Sequence, residues 1–264
     1  MKIAVMSDIH LGRGDQADRR GGQDEALLRL LDYLEAHFDV IVLLGDIWEL
    51  LTPKWPIFSS RELKIVQAAH PQIAHRFAQP PYHYIVGNHD RAVETLENVS
   101  KELILTVNQT QILFTHGHQF DVWAHQLRYI GECVVWISGW AARLGTQALT
   151  HFFDWAHNLI TGTSKEHQLG TLEQRLIQYS QENKAQITVM GHTHLPGITQ
   201  HNEHILVNSG HCLGDALHFV GIDSQSAEIT VYQVNPSRTH PISLKDLKVI
   251  DHTSISHLTP KEEP

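Results

Sequence analysis

Apolar residues in this chain come in short bursts, and most bursts end on a side chain able to bind a metal or move a proton. Lys2 to Ser7, Val40 to Leu44, Tyr82 to Val86, Gln111 to Thr115 and Ile187 to Met190 are short, apolar and β-branched. That is the signature of buried strands. Ile205 to Val207, Phe219 to Ile222 and Ile229 to Val234 predict three more strands. Helical spacing appears between them: Gln23 to Ala36 sets Leu27, Leu28, Leu31 and Leu34 on one face, and Arg61 to Ala69 and Leu172 to Glu182 follow suit. Strands alternating with helices predict an α/β (α+β) fold, a four-layer αββα sandwich of two mixed sheets. After Gly191 the pattern is mostly strand, which predicts that the second sheet is largely antiparallel.

The pattern changes between about 120 and 183. Trp123, Trp136, Trp140 and Trp155 fall here, and Tyr129 to Ala142 is apolar on nearly every side. This predicts a helical insertion. It is either a small subdomain packed on the sandwich or a lid with an apolar groove, because an all-apolar helix must be covered, bind something greasy or touch a membrane. Pro53 and Pro56 leave Trp48, Trp55 and Phe58 in a loop after Asp46, and Arg13, Arg19, Arg20, Gly21 and Gly22 form another after His10. Residues 1–240 read as one domain. Residues 241–264 are weakly patterned, end in KEEP and read as a tail.

Composition narrows the classes. The 264 residues, 42% of them apolar, suffice for a full core, and no run is long enough to span a membrane. The start, MKIAVMSDIH, reads as a strand and not a leader. Cys133 and Cys212 make no disulfide framework, which suggests a reducing cytoplasm and disfavours thiolate metal sites. A net charge of −9 disfavours general nucleic-acid binding.

The residues at the ends of the strands carry the chemistry, where ligands of α/β sheets collect. Asp8, His10, Asp46, Asn88, His116, His192 and His194 offer hard oxygen and borderline nitrogen donors. Asp8 and His10, two apart in an extended segment, point the same way, as do His192 and His194. Such donors suit two divalent ions, Mn²⁺, Fe or Zn²⁺ better than Ca²⁺ or Mg²⁺. Two ions about 3.5–4 Å apart, sharing Asp46, acidify a bridging water to hydroxide and hold phosphoryl oxygens. His89 is placed to give the leaving oxygen a proton, with Asp90 orienting its ring. Most of the 21 histidines, His37, His70 and His83 among them, read as surface or core residues.

The ordered motifs D-x-H, G-D, G-N-H-D, T-H-G-H and G-H-T-H resemble those of calcineurin-like metallophosphoesterases from Met1 to roughly Val234. The resemblance implies one ion on Asp8, His10, Asp46 and His194, and another on Asp46, Asn88, His116 and His192. Gly45-Asp46-Ile47-Trp48-Glu49 lacks the Arg-Gly of the protein phosphatase branch. Ser7 to Leu11, Asp46 to Glu49 and the insertion are similar to the UDP-2,3-diacylglucosamine pyrophosphohydrolases of lipid A synthesis. That group carries Arg where this chain has His89, and often Asp where it has His118. The implied substrate is a phosphate ester or a nucleotide-linked lipid, with peripheral contact at the inner membrane through the insertion. A phosphodiesterase or phosphatase acting on a small soluble substrate such as a cyclic nucleotide, a nuclease, and a binding scaffold without catalysis are the competing readings.

Overall fold

A computed structural model describes residues 1–18, 23–55, 60–96, 98–121, 128–146, 170–214, 216–235 and 240–255. The strands are β1 (Lys2–Met6), β2 (Val40–Leu44), β3 (Tyr82–Ile85), β4 (Val99–Ser100), β5 (Glu102–Val107), β6 (Thr110–Thr115), β7 (Ile187–Met190), β8 (Gly197–His201), β9 (His204–Asn208), β10 (Leu217–Asp223), β11 (Glu228–Val234) and β12 (Leu247–Ser254). The helices are α1 (Asp24–His37), α2 (Ser60–Ala69), α3 (Pro71–Phe77), α4 (Arg128–Arg143) and α5 (Thr171–Glu182).

Seven strands form one sheet in the order β12-β11-β10-β1-β2-β3-β4, and five form the other, β5-β6-β7-β9-β8. The expected four layers are present. Ile3, Val5, Val42 and Leu44 of the first sheet meet Ile112, Phe114, Ile187 and Val207 of the second in an apolar interlayer. On the first sheet's outer face Ala4, Met6, Ile41 and Leu43 pack on Leu27, Leu30, Leu31 and Leu34 of α1. Those leucines recur at helical spacing, so α1 buries one stripe. Leu176 of α5 covers Met190 and Leu206 on the second sheet's outer face.

Three expectations need correction. Strands after Gly191 do not build one antiparallel sheet: β8 and β9 join the second sheet, where β6, β7 and β9 run parallel, while β10 to β12 extend the first. Both sheets are mixed. The helix over Thr171–Glu182 packs on β7 and so belongs to the sandwich and not to the insertion. Finally, the tail proposed to begin at 241 contains β12, which pairs antiparallel with β11 from Leu247 to Ser254. It is an edge strand with many half-covered positions, so it lacks the apolar alternation that marks a two-sided strand. Among the described residues no helix is long and apolar enough to cross a membrane.

Candidate metal centre

Five strands, β1, β2, β3, β6 and β7, deliver their carboxyl ends to one place. The loops after β1 and β2 continue the strands' parallel pairing in distorted form: Asp8 N–H donates to Gly45 O (3.0 Å), His10 N–H to Asp46 O (3.0 Å) and Leu11 N–H to Ile47 O (2.9 Å). Asp8, His10, Asp46, His192 and His194 all sit in the left-handed region, with φ between 50° and 68°. Asp and His tolerate that region better than most residues, yet each instance costs about 1–2 kcal/mol. Such strain gathers where a site fixes its side chains. The extended geometry expected for D-x-H is therefore absent, and convergence comes from alternating left-handed residues. Two glycines permit the approach. A Cβ on Gly87 would lie 2.1 Å from Asp46 Oδ1, and one on Gly45 would lie 2.6 Å from the His116 ring.

The seven predicted residues meet, in two halves. On one side His194 Nε2 lies 3.0 Å from Asp8 Oδ1, and His10 Nε2 lies 3.9 Å from Asp8 Oδ1 and 4.0 Å from Asp46 Oδ2. On the other, His116 Nε2 lies 3.3 Å from Asp46 Oδ2 and 3.2 Å from Asn88 Oδ1, with the His192 ring 5.4 Å from that of His116. Asp46 faces both halves. His192 and His194 do not point the same way as expected; they diverge, one to each half. Donor atoms 3.0–3.3 Å apart have the spacing of ligands around one ion with bonds of about 2.1 Å. His10 Nε2 is buried without a hydrogen-bond partner, an expensive arrangement that an ion on its lone pair would relieve. The residues present thus fit two divalent cations.

The imidazoles of His10, His116 and His192 are each held by the other nitrogen, the usual way a protein fixes a ligand tautomer. His10 Nδ1–H donates to Glu49 Oε2 (3.1 Å), His116 Nδ1–H to Leu44 O (2.8 Å) and His192 Nε2–H to Asp121 Oδ2 (3.0 Å). Asp8 accepts from the His192 backbone N–H (3.1 Å) and from the hydroxyl of Ser7, itself 2.7 Å from the Ser209 hydroxyl.

Asp90 does not orient His89. Its carboxylate accepts from Gly87 N–H (2.7 Å), Ile47 N–H (2.8 Å) and Tyr84 O–H (2.6 Å), so it stitches the β3 loop to the β2 loop. Adjacent side chains in the G-N-H-D turn point apart, which the sequence adjacency conceals. The His89 ring instead donates from Nδ1 to Glu49 Oε2 (2.8 Å), and its backbone N–H donates to Asp46 Oδ1 (2.8 Å). Glu49 therefore serves His10 and His89 together. Glu49, Asp121 and Tyr84 were missed as site residues. Glu49 had a signal, its spacing three after Asp46; Asp121 and Tyr84 had none.

Electrostatics follow the geometry. Burial pushes the Asp8 carboxyl up, but the His194 and His116 imidazoles outweigh it and hold it at about 2. Asp46 is likewise driven well below its usual range, burial being overcome by His116 and His89. Asp90 rises to about 6 through burial and the charge on Asp46. Burial lowers His116, but Asp46 lifts it to about 10. To hold an ion it would first have to lose that proton. His118, beside His116 and His192, is pushed down to about 2 by burial and by the charge of His116.

Helix α4 docks on the loops that follow His10 and Asp46. Trp136 Nε1–H donates to Pro53 O (3.0 Å), and Arg143 binds Asp15 (2.8 Å) and Thr52 O (2.6 Å). Lys54, Trp55, Trp136, Ile137 and Trp140 line an apolar cleft of about 430 Å³ there. Arg19, Arg20, Gly21, Gly22, Phe58, Trp123 and Trp155 lie outside the described residues.

A family model for calcineurin-like phosphoesterases matches residues 1–196, a span that takes in all seven strand-end residues. Comparison with curated proteins gives no match. Among solved structures, a hypothetical protein from Pyrococcus horikoshii OT3 is 12% identical, with 90% of this chain and 89% of that one covered at a TM-score of 0.50. Yfce, a phosphoesterase from E. coli, is 18% identical, covering 97% of this chain and 100% of its own at a TM-score of 0.47. The likeness to the Pyrococcus horikoshii protein speaks to the fold alone.

Proposed function

The chain belongs to the calcineurin-like phosphoesterase family and is a metal-dependent phosphoester hydrolase, and from that premise we propose that it cleaves a phosphodiester or diphosphate bond at a centre holding two divalent ions on Asp8, His10, Asp46, Asn88, His116, His192 and His194. The observation that carries this reading is the buried, unpartnered Nε2 of His10 between two carboxylates. Bound there, the ions would supply positive charge for the phosphoryl oxygens and acidify a water, and the mixed oxygen and imidazole donors suit Mn²⁺. The chain's own residues do the rest. Asp46 holds the two halves in register, and its Oδ1 anchors the His89 backbone. Glu49 fixes the His89 ring through Nδ1, which directs Nε2 towards the leaving oxygen as proton donor. Asp90 acts as a positioning residue for the loops, not as a partner of His89. With Mn²⁺ supplied, wild-type protein should hydrolyse bis(p-nitrophenyl) phosphate, and Asp46→Ala or His192→Ala should abolish that activity. Retained hydrolysis would sink the dimetal assignment.

For the substrate we favour a nucleotide-linked lipid of the UDP-2,3-diacylglucosamine type, supported by the apolar cleft of Trp55, Trp136, Ile137 and Trp140 on the loop that leaves Asp46. On this reading the enzyme works in the cytoplasm at the inner-membrane surface. Trp136→Ala should then raise KM for the lipid at least tenfold and leave p-nitrophenyl ester hydrolysis within twofold. A second reading, a small soluble diester such as a cyclic nucleotide, draws on the hydrogen bonds that tie α4 to Pro53, Thr52 and Asp15 as a structural element. Equal effects of Trp136→Ala on both substrates favour it.

A further inference from the structure

The loop after β9, Ser209 to Gly214, contributes a histidine to the centre that no motif marks. The His211 ring stands 5.7 Å from that of His194 and is half-buried. Its neighbours form a row: His89 to His10 at 4.6 Å, His10 to His194 at 5.6 Å, then His211. His211 thus sits at the end of the row away from His89.

The loop is built to hold this ring still. Ser209 N–H donates to Met190 O (2.9 Å), and Cys212 N–H donates to the carbonyl of Asp8 (3.1 Å). His218 clamps the His211 carbonyl with its backbone N–H (3.1 Å) and its Nδ1–H (2.8 Å). Gly210 turns at φ +76°, and a Cβ there would meet Pro196 Cβ at 2.9 Å. Leu213 N–H donates to His211 Nδ1 (3.2 Å). An imidazole nitrogen that accepts a hydrogen bond carries no proton, so the ring is neutral and its single N–H is on Nε2. Nε2 has no hydrogen-bond partner among the described residues.

We propose that His211 is a substrate-binding residue whose neutral Nε2–H donates to a phosphodiester oxygen on the Asp8–His194 side of the centre, a proposal that rests on the phosphoesterase reading above. A neutral N–H donates to an anionic phosphoryl oxygen in a charge-assisted hydrogen bond, which is shorter and stronger than one between neutral groups. Pre-set donors aimed at phosphoryl oxygens lower barriers because they need no rearrangement during reaction. His211 and His89 would then divide the work, one at each end of the row: His211 holds an oxygen that stays on phosphorus, and His89 serves the one that leaves.

The test compares three variants at equal metal content, verified by elemental analysis. His211→Ala should lower kcat/KM for bis(p-nitrophenyl) phosphate about 10–100-fold, between the loss of an ordinary hydrogen bond and that of an oxyanion donor. His211→Gln, whose amide nitrogen falls near the position of Nε2, should recover most of the loss; His211→Asn, which mimics Nδ1, should not. In zinc-loaded wild type, ¹⁵N-histidine NMR should show a His211 Nε2–H resonance that moves on adding dimethyl phosphate. The proposal is overturned if His211→Ala keeps diester activity within twofold, if Asn restores as well as Gln, or if the resonance stays put. Should wild type hydrolyse no diester, the phosphoesterase reading fails instead, and the NMR arm still decides whether His211 binds the phosphate oxygen.

Discussion

Glu49→Gln is the most searching single perturbation of this centre, because one carboxylate carries three hydrogen bonds. Oε2 accepts from His10 Nδ1 (3.1 Å) and His89 Nδ1 (2.8 Å), and Oε1 accepts from Leu51 N–H (2.9 Å). The side chain is buried, and the two imidazoles pull its carboxyl well below the ordinary range against the effect of burial. The amide has one acceptor end. If that end faces the imidazoles, the NH₂ group meets Leu51 N–H; if it faces Leu51, both imidazole protons lose their acceptor. The best case converts two bonds to a charged acceptor into neutral ones, about 1–1.5 kcal/mol each, and leaves one buried N–H unmet at about 1–3 kcal/mol. The His10 share should weaken metal binding about 10–100-fold, the usual range when a ligand histidine loses its carboxylate partner. The His89 share should appear in turnover. With saturating Mn²⁺, kcat for diphenyl phosphate should fall further than kcat for bis(p-nitrophenyl) phosphate, because phenolate needs a proton more than nitrophenolate does. Metal titration by calorimetry and the two substrates together separate the shares. Unchanged metal affinity together with equal losses on both substrates would refute the assignment of Glu49 to both rings.

Other consequences are equally direct. Gly87→Ala should strip metal and activity and lower stability by about 2–4 kcal/mol, as read by denaturant melts, because its Cβ would overlap Asp46. His89→Ala should keep metal content and cut turnover by about 10²–10⁴; a fall in metal content would make His89 a ligand instead. Asp121→Ala should weaken metal binding about tenfold by freeing the His192 ring, and unchanged affinity would remove its orienting role. His70 gives a pH prediction away from the centre. Its Nδ1 lies 2.8 Å from Asp24 Oδ2, and its Nε2 lies 2.9 Å from Gly12 O and 3.4 Å from Asp18 Oδ2, so both nitrogens face acceptors. Burial lowers its pKa, but the two carboxylates override that and raise it from 6.5 to about 9. Its stabilisation is therefore complete below pH 6.5 and disappears as pH climbs through about 9. The melting-temperature gap between wild type and His70→Gln should close over that window; a gap flat in pH would refute the charged His70.

The central strands and all seven strand-end residues were legible in the order of residues, for one physical reason. Strands β1, β2, β3, β6, β7, β9, β10 and β11 lie inside sheets that are covered on both faces, so they read as continuous apolar runs. A run that stops at Asp, Asn or His announces the chemistry at its carboxyl end. The four strands that went unread, β4, β5, β8 and β12, are the four sheet edges. An edge strand is held largely by backbone hydrogen bonds on one side, and backbone bonding leaves no mark on side-chain pattern. The same divide runs through the centre. Residue types and spacing determined which atoms could bind ions. Only the folded loops, with five of the seven strand-end residues in left-handed turns, decided that His192 and His194 part company, that Glu49 and not Asp90 holds His89, and that His211, from a loop 17 residues beyond His194, stands beside it. Those are contacts between segments far apart in the chain, and a linear pattern carries no term for them.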